Sequence, residues 1–269
     1  MGKGPRNYSA LTIKRLYALS DNRCAFPGCT VVFTSPTNES NFSNICHIED
    51  AEEGGRFNPN MTDKQRASFE NLILLCPNHH TETNDTEKYT VDSLREMKQR
   101  HESLSISKEL TRNPSMLKNA INAISTLSLE DIIESEGLNV YNPKLKLNYN
   151  SVKTNYSLIQ DYKVYQGKIN SLYDELERQG SIKKEKLLSN INQIYAKIKG
   201  GYVLDSENPL EIIRLNADKI LDDVFDELYE KLENSNFFDE DIIIGVRLIL
   251  VDAFIRCKIL EEPIEDDNK

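Results

Sequence analysis

The sequence predicts an α+β chain: a small metal-braced domain with short strands, followed by a mainly α-helical domain. Three observations carry that expectation. Three of the four histidines and four of the five cysteines lie within the first 80 residues. Turn residues and short apolar runs fill the same stretch, which is the texture of short strands and loops. From about residue 151 onward, apolar residues recur at three- and four-residue spacing, the signature of helices with one buried face. The expected boundaries are 1–103 for the first domain, 104–150 for a linker and 151–269 for the helical domain.

At 269 residues, 39% of them hydrophobic, the chain can form two small cored domains. A formal net charge of -10 counts against unspecific adhesion to nucleic acid. Residues 1–103 carry 12 basic and 14 acidic side chains, so most of the excess acid lies downstream and points to a protein partner there. The longest apolar run, 242–255, is interrupted by Arg247 and Asp252 and is too short and too charged to span a bilayer. The first twenty residues lack the continuous apolar stretch of a secretion signal. A cytoplasmic protein with no membrane partner is therefore expected, in which thiols stay reduced and bind metal rather than pair as disulfides.

Residues 9–20 read as a short amphipathic helix capped by Ser9, with Leu11, Leu16 and Leu19 on one side. Residues 21–45 are loop-rich, with a short strand expected at 30–33. The apolar run 71–75 leads into CPNHH, where Pro77 can open a helix. Residues 90–101 form a helix capped by Thr90, with His101 at its end as a partner of the helix dipole. Pro114 and Pro143 break up the stretch 104–150, which is read as one helix at 115–127 and otherwise linker or a small strand pair.

In the helical half, Leu158, Tyr162, Tyr165, Ile169, Leu172 and Leu176 fall on one face. Gly180-Ser181 interrupts, and Leu187, Ile191, Ile194 and Ile198 resume the pattern. This predicts an antiparallel helical hairpin ended by Gly200-Gly201. Pro209 opens a further helix that buries Ile213, Ala217, Ile220, Val224, Leu228 and Leu232. A last helix, 239–260, carries Cys257 on its apolar face and is stopped before Pro263. Tyr156, Tyr162, Tyr165 and Tyr173, at helical spacing, read as core.

The chemistry lies in CAFPGC (Cys24, Cys29), ICHIED (Cys46, His47) and CPNHH (Cys76, His79, His80). Structural zinc takes four tetrahedral nitrogen or sulfur ligands. Pro27-Gly28 lets the chain turn so that Cys24 and Cys29 face one ion, and Cys76 with His79 supplies a second pair from one helical turn. These four are the expected Zn2+ ligands, with Cys46 as a spare thiol able to replace one. The acids Glu49, Asp50, Glu52 and Glu53 read as a solvated acidic turn.

The ordered set CHI at 46–48, GG at 54–55 with Arg56, NLILLC at 71–76 and HH at 79–80, preceded by Cys24 and Cys29, resembles the HNH nuclease family and its ββα-metal fold. The resemblance covers about residues 9–103. It implies that His47 is the general base that deprotonates the attacking water. Asn71 then positions the base's loop, and His80 ligates a catalytic Mg2+ or Mn2+. Asn84, one helical turn on, takes the place of a second ligand for that cation, and Arg56 contacts a neighbouring phosphate. The implied substrate is DNA, cut to 5′-phosphate and 3′-hydroxyl ends. Cys46 stands where members often carry Asp or His, and Asp50 and Asp85 are the acids nearest to compensate.

The stretch from IRLNADKILDDV (213–224) to VDAFIRCKILEEP (251–263) resembles the C-terminal modules of bacterial ABC three-component conflict systems, over about 150–263. That resemblance implies an anti-phage or conflict setting, in which the helical domain docks onto protein partners, an ATPase among them. A second reading keeps the same fold without catalysis: a zinc-binding adaptor for nucleic acid or protein, favoured by Cys46 and Asn84.

Overall fold

The computed structural model describes residues 4–35, 37–127, 142–155, 159, 163–233 and 239–263. Leu158, Tyr156 and Tyr162, read above as part of a helical face, lie outside the described residues. The chain divides into two compact units, Met1–Arg112 and Asn113–Lys269.

The first unit is mixed α and β. Helix α1 (Ala10–Ala18) starts where Ser9 accepts a hydrogen bond from the Thr12 amide at 3.0 Å. The strands come later than the expected 30–33. A short pair, β1 (Thr34–Ser35) and β2 (Asn38–Asn41), is followed by β3 (Asn44–His47), while Val32 makes only an isolated bridge to Arg23. A capped turn of helix, α2 (Asp63–Arg66), precedes β4 (Leu72–Leu75). Strands β3 and β4 pair antiparallel, with His47 opposite Leu72 and Cys46 opposite Ile73. Every residue of β4 is buried, so this strand forms the floor of the unit. Pro77 then opens helix α3 (Pro77–Glu82).

Helix α4 runs over Val91–Arg112, eleven residues beyond the expected end. His101 is therefore within a helix, not at its terminus, and its Nε2 donates to the Ser20 carbonyl at 2.8 Å. Lys98 of the same helix is buried; its Nζ donates to the Leu72 carbonyl at 2.9 Å and pairs with Glu102 at 2.7 Å. The Lys98 bond ties the helix to β4, and further along it Ile106 and Leu110 are buried and Lys108 and Arg112 pair with Asp21. The core is Leu16, Leu19, Phe33, Ile48, Phe69, Leu72–Leu75 and Leu94.

The second unit is helical: α5 (Met116–Ser125), α6 (Pro143–Tyr149), α7 (Lys163–Arg178), α8 (Lys183–Val203), α9 (Pro209–Leu215), α10 (Ala217–Leu232) and α11 (Asp239–Ile255). Helix α11 is buried from Asp241 to Ile255 and serves as the central rod. Where it crosses α5, a Cβ on Gly245 would sit 2.5 Å from the Ala120 Cβ, so only glycine allows this approach. The helix expected at 115–127 is α5, and the rest of the stretch read as linker or a small strand pair supplies the end of α4 and helix α6 among its described residues. Lys146 of α6 is fully buried and donates to the carbonyls of Phe254 (2.5 Å) at the end of α11 and Ile259 (2.9 Å) just beyond it.

Gly180, at φ +68, ends α7 and makes the expected hairpin turn. Gly200 and Gly201 do not end α8, which continues to Val203. Helix α11 stops at Ile255, and Cys257 lies beyond it in a left-handed conformation (φ +57), half-buried rather than on an apolar helix face. Tyr165 and Tyr173 are buried, and Tyr173 donates to Asp252 at 2.9 Å.

Candidate metal centre and cleft

Two centres lie on either side of helix α3. The first gathers Cys24, Cys29, Cys76 and His79, whose ligand atoms all lie within 4.8 Å of one another. His79 Nδ1 lies 3.2 Å from the Cys76 sulfur and 3.6 Å from the Cys24 sulfur. Sulfurs and nitrogen bonded to one tetrahedral zinc sit about 3.5–3.8 Å apart, given bonds of about 2.0–2.3 Å. The group fits that ion. Gly28, at φ +77, makes the turn between the first two cysteines, closed by a Cys29 amide to Phe26 carbonyl bond of 3.0 Å. The Cys76 amide donates to the Cys24 sulfur at 3.2 Å, a contact suited to a thiolate. Phe26 stacks flat on the His79 ring at 3.9 Å and fixes its plane. Burial pushes the Cys24 thiol up to about 12, so a cation must displace its proton on binding. Cys46 is not part of this group. Burial pushes its thiol up to about 12 as well, and it donates weakly to the Asn44 carbonyl at 3.5 Å.

The second centre is an open cleft of about 300 Å³ lined by Arg6, Cys46, His47, Asp50, Glu52, His80, Asn84 and neighbouring residues. His47 enters from the end of β3. Its Nε2 donates to the Pro5 carbonyl at 2.9 Å, and the Tyr8 ring lies 5.9 Å from its own. Among the described residues Nδ1 has no hydrogen-bond partner, so this tautomer leaves Nδ1 able to accept a proton. Burial, more than any other cause, holds the imidazole below its ordinary 6.5, and it is neutral near pH 7.

Asn71 is buried and ties down the loop that follows His47. Its Oδ1 accepts from the Glu49 amide at 2.8 Å, and its Nδ2 donates to the carbonyls of Glu49 and Arg66, both at 3.0 Å. Glu49 is held in turn by Asn58 (2.7 Å) and by Arg95 of α4.

His80 faces the cleft, and its Nδ1 meets the side-chain amide of Asn44 at 3.2 Å. For Nε2 to hold a cation, Nδ1 must carry the proton and face the amide oxygen, which a half-turn of the Asn44 amide provides. Asn84 lines the same cleft. Two neutral donors suit a cation that keeps much of its water shell and also takes phosphate oxygens, and the imidazole favours Mn2+ over Mg2+.

Asp50 does not supplement this pair. Both its oxygens serve Arg56, accepting from the Arg56 amide (2.9 Å), Nε (3.3 Å) and Nη2 (3.2 Å). Asp85 caps the Lys88 amide at 3.2 Å. Nor is Arg56 arranged as a phosphate contact. Its Nη1 donates to the carbonyls of Thr83 (3.0 Å) and Tyr89 (3.1 Å), so the buried guanidinium latches the loop around Gly54-Gly55 to the segment after α3. The acids 49–53 are thus ion-paired in part rather than simply solvated: Glu49 with Arg95, Asp50 with Arg56 and Glu52 with Arg6. Sequence reasoning did not find Pro5, Tyr8 or Asn44; none belongs to a local motif, and only the tertiary fold brings them to the two histidines.

The second unit is a helical module built around α11, and comparison places it in a family. Residues 115–261 match C-terminal domain 10 of the ABC-three component (ABC-3C) systems. The match covers more than half of the chain, which belongs to this family and thereby has a protein partner within a multi-component conflict system. It begins at 115 rather than about 150, so the family domain includes α5, in keeping with the unit boundary at Asn113. No curated protein and no solved structure matches the chain. No helix among the described residues is long and apolar enough to cross a membrane.

Proposed function

We propose that the first unit is a metal-dependent HNH endonuclease that hydrolyses phosphodiester bonds, most naturally of DNA, and that its ABC-3C domain places it under a partner's control. The observation that carries this reading is the convergence of His47, His80 and Asn84 on one cleft beside a Cys3His group. His47 Nδ1 takes the proton of the attacking water as its oxygen bonds to phosphorus. Asn71 keeps the loop behind His47 rigid, and the Pro5 carbonyl holds the ring's tautomer. A Mn2+ or Mg2+ held by His80 and Asn84 would supply positive charge to the pentavalent phosphorus and the leaving 3′ oxygen. The zinc group braces α3 so that His80 keeps its direction.

The test is cleavage of plasmid, single-stranded DNA and RNA by the full chain with Mn2+ or Mg2+, with and without the partners of its system. Cutting that His47→Ala abolishes, with zinc content and fold retained, supports the enzyme. The commitment of Asp50 to Arg56 and the neutral Cys46 favour a second reading, a zinc adaptor without catalysis. Absence of cutting by the wild type with every metal, substrate and partner supports that reading.

A further inference from the structure

A guanidinium is well suited to hold a phosphate in a cleft that takes a phosphodiester, beside any metal. Among the described residues, Arg6 and Arg56 are the two guanidinium groups that line it. Arg56 is buried, and its donors go to Asp50, Thr83 and Tyr89. Arg6 is the opposite case. Its side chain is 62% exposed and meets Glu52, itself 73% exposed, at 2.5 Å. Exposed pairs of this kind are weak, screened by salt and easily exchanged for a better anion.

The segment carrying Arg6 is fixed at both ends. On one side, the Pro5 carbonyl accepts from His47 Nε2 at 2.9 Å. On the other, Tyr8 lies against the His47 ring, and Ser9 begins α1. A turn closed by the Asn7 amide on the Gly4 carbonyl at 3.1 Å sets the direction of Arg6. The guanidinium is therefore delivered to the rim of the cleft by the same strap that orients the candidate base.

We propose that Arg6 is the cleft's contact to a nucleic-acid phosphate, and that Glu52 holds it in place until that phosphate displaces the carboxylate. The proposal rests on the phosphodiester reading given above. A guanidinium matches two phosphate oxygens with two parallel N–H bonds, which no ammonium does. The nearby carboxylates Glu52 and Glu53 tune the contact: they hold the cleft's charge down, in keeping with the chain's formal net charge of -10.

The experiment measures binding of labelled single- and double-stranded oligonucleotides by fluorescence anisotropy across a salt series. It uses full-length protein carrying His80→Ala to prevent cutting while leaving the strap's anchor on His47 intact. Arg6→Ala is expected to weaken binding and to lower the slope of log K against log salt by about 0.7–0.9, the loss of one phosphate contact. Arg6→Lys should keep the slope and lose less affinity, and Glu52→Gln should tighten binding. Unchanged slope and affinity in Arg6→Ala overturn the proposal, and so does a protein that binds neither kind of strand. If the slope falls as expected but the wild type never cuts, the Arg6 assignment stands and the hydrolase reading fails.

Discussion

His79 and His80 are neighbours in sequence yet serve different centres: His79 Nδ1 lies 3.2 Å from the Cys76 sulfur, while His80 Nδ1 lies 3.2 Å from the Asn44 side-chain amide. Consecutive residues of an α-helix point about 100° apart, so one turn of α3 can turn one imidazole to a bracing ion and the next to the cleft. Anything that loosens the first centre should disturb the second.

The bracing group should hold one zinc per chain. Elemental analysis of protein purified without chelator is expected to show it, and Cys29→Ser or Cys76→Ser should remove it. Stripping the metal should unfold the first unit, because zinc binding in small domains contributes on the order of 10 kcal/mol to folding. Circular dichroism and limited proteolysis check this. A first unit that keeps its fold and protease resistance after zinc removal would refute the bracing role.

Replacing His47 with alanine should reduce nuclease activity by about 10²–10⁴-fold, the usual worth of a general base, while the first unit stays folded even though the bond to Pro5 is lost. The pH dependence has a definite sign. Burial lowers the His47 pKa, so the neutral, proton-accepting form persists to lower pH than an ordinary imidazole allows. The acid limb of kcat/KM should therefore fall below pH 6.5, and a limb above that value would contradict the assignment.

Asn71→Ala removes three hydrogen bonds and leaves buried backbone groups of Glu49 and Arg66 without that partner. The expected cost is about 2–4 kcal/mol in denaturant unfolding of the first unit, with activity lost through the displaced His47 loop. Asn71→Asp keeps the acceptor for the Glu49 amide but cannot donate to the two carbonyls, and should also destabilise.

In the helical unit, Gly245→Val should push α5 and α11 apart, since even a Cβ there lies 2.5 Å from the Ala120 Cβ. A loss of about 1–3 kcal/mol is expected from overpacking. Adding Ala120→Gly should recover part of it in thermal unfolding. Full additivity of the two substitutions would show that the contact does not set the crossing.

Local signals were legible wherever a short segment decides its own conformation. Ser9 caps α1, Pro77 opens α3, Gly180 turns the hairpin, and the four zinc-type ligands meet as their spacing implied. Signals failed where distant groups overrode local preference. Gly200 and Gly201 sit inside a helix whose flanking Lys199 and Tyr202 are tied to Glu261 and Asp223. Helix α4 continues past His101 because Ile106 and Leu110 are buried there and Lys108 and Arg112 pair with Asp21. The resemblance in the first unit implied a phosphate contact for Arg56, yet Asp50 and two carbonyls engage its donors.

By itself the sequence determined the chemistry available: which thiols and imidazoles are present, their pairing into ligand sets, the helical face pattern of the second half and the kinship visible there. Those are properties of spacing within a few residues, and short-range geometry enforces them. The tertiary structure alone decided which charges are engaged and which remain available. Arg56 is buried and Arg6 exposed because ion pairing depends on what the fold brings within about 3 Å, and residues 46 positions apart, such as Arg6 and Glu52, carry no mark of it in the sequence.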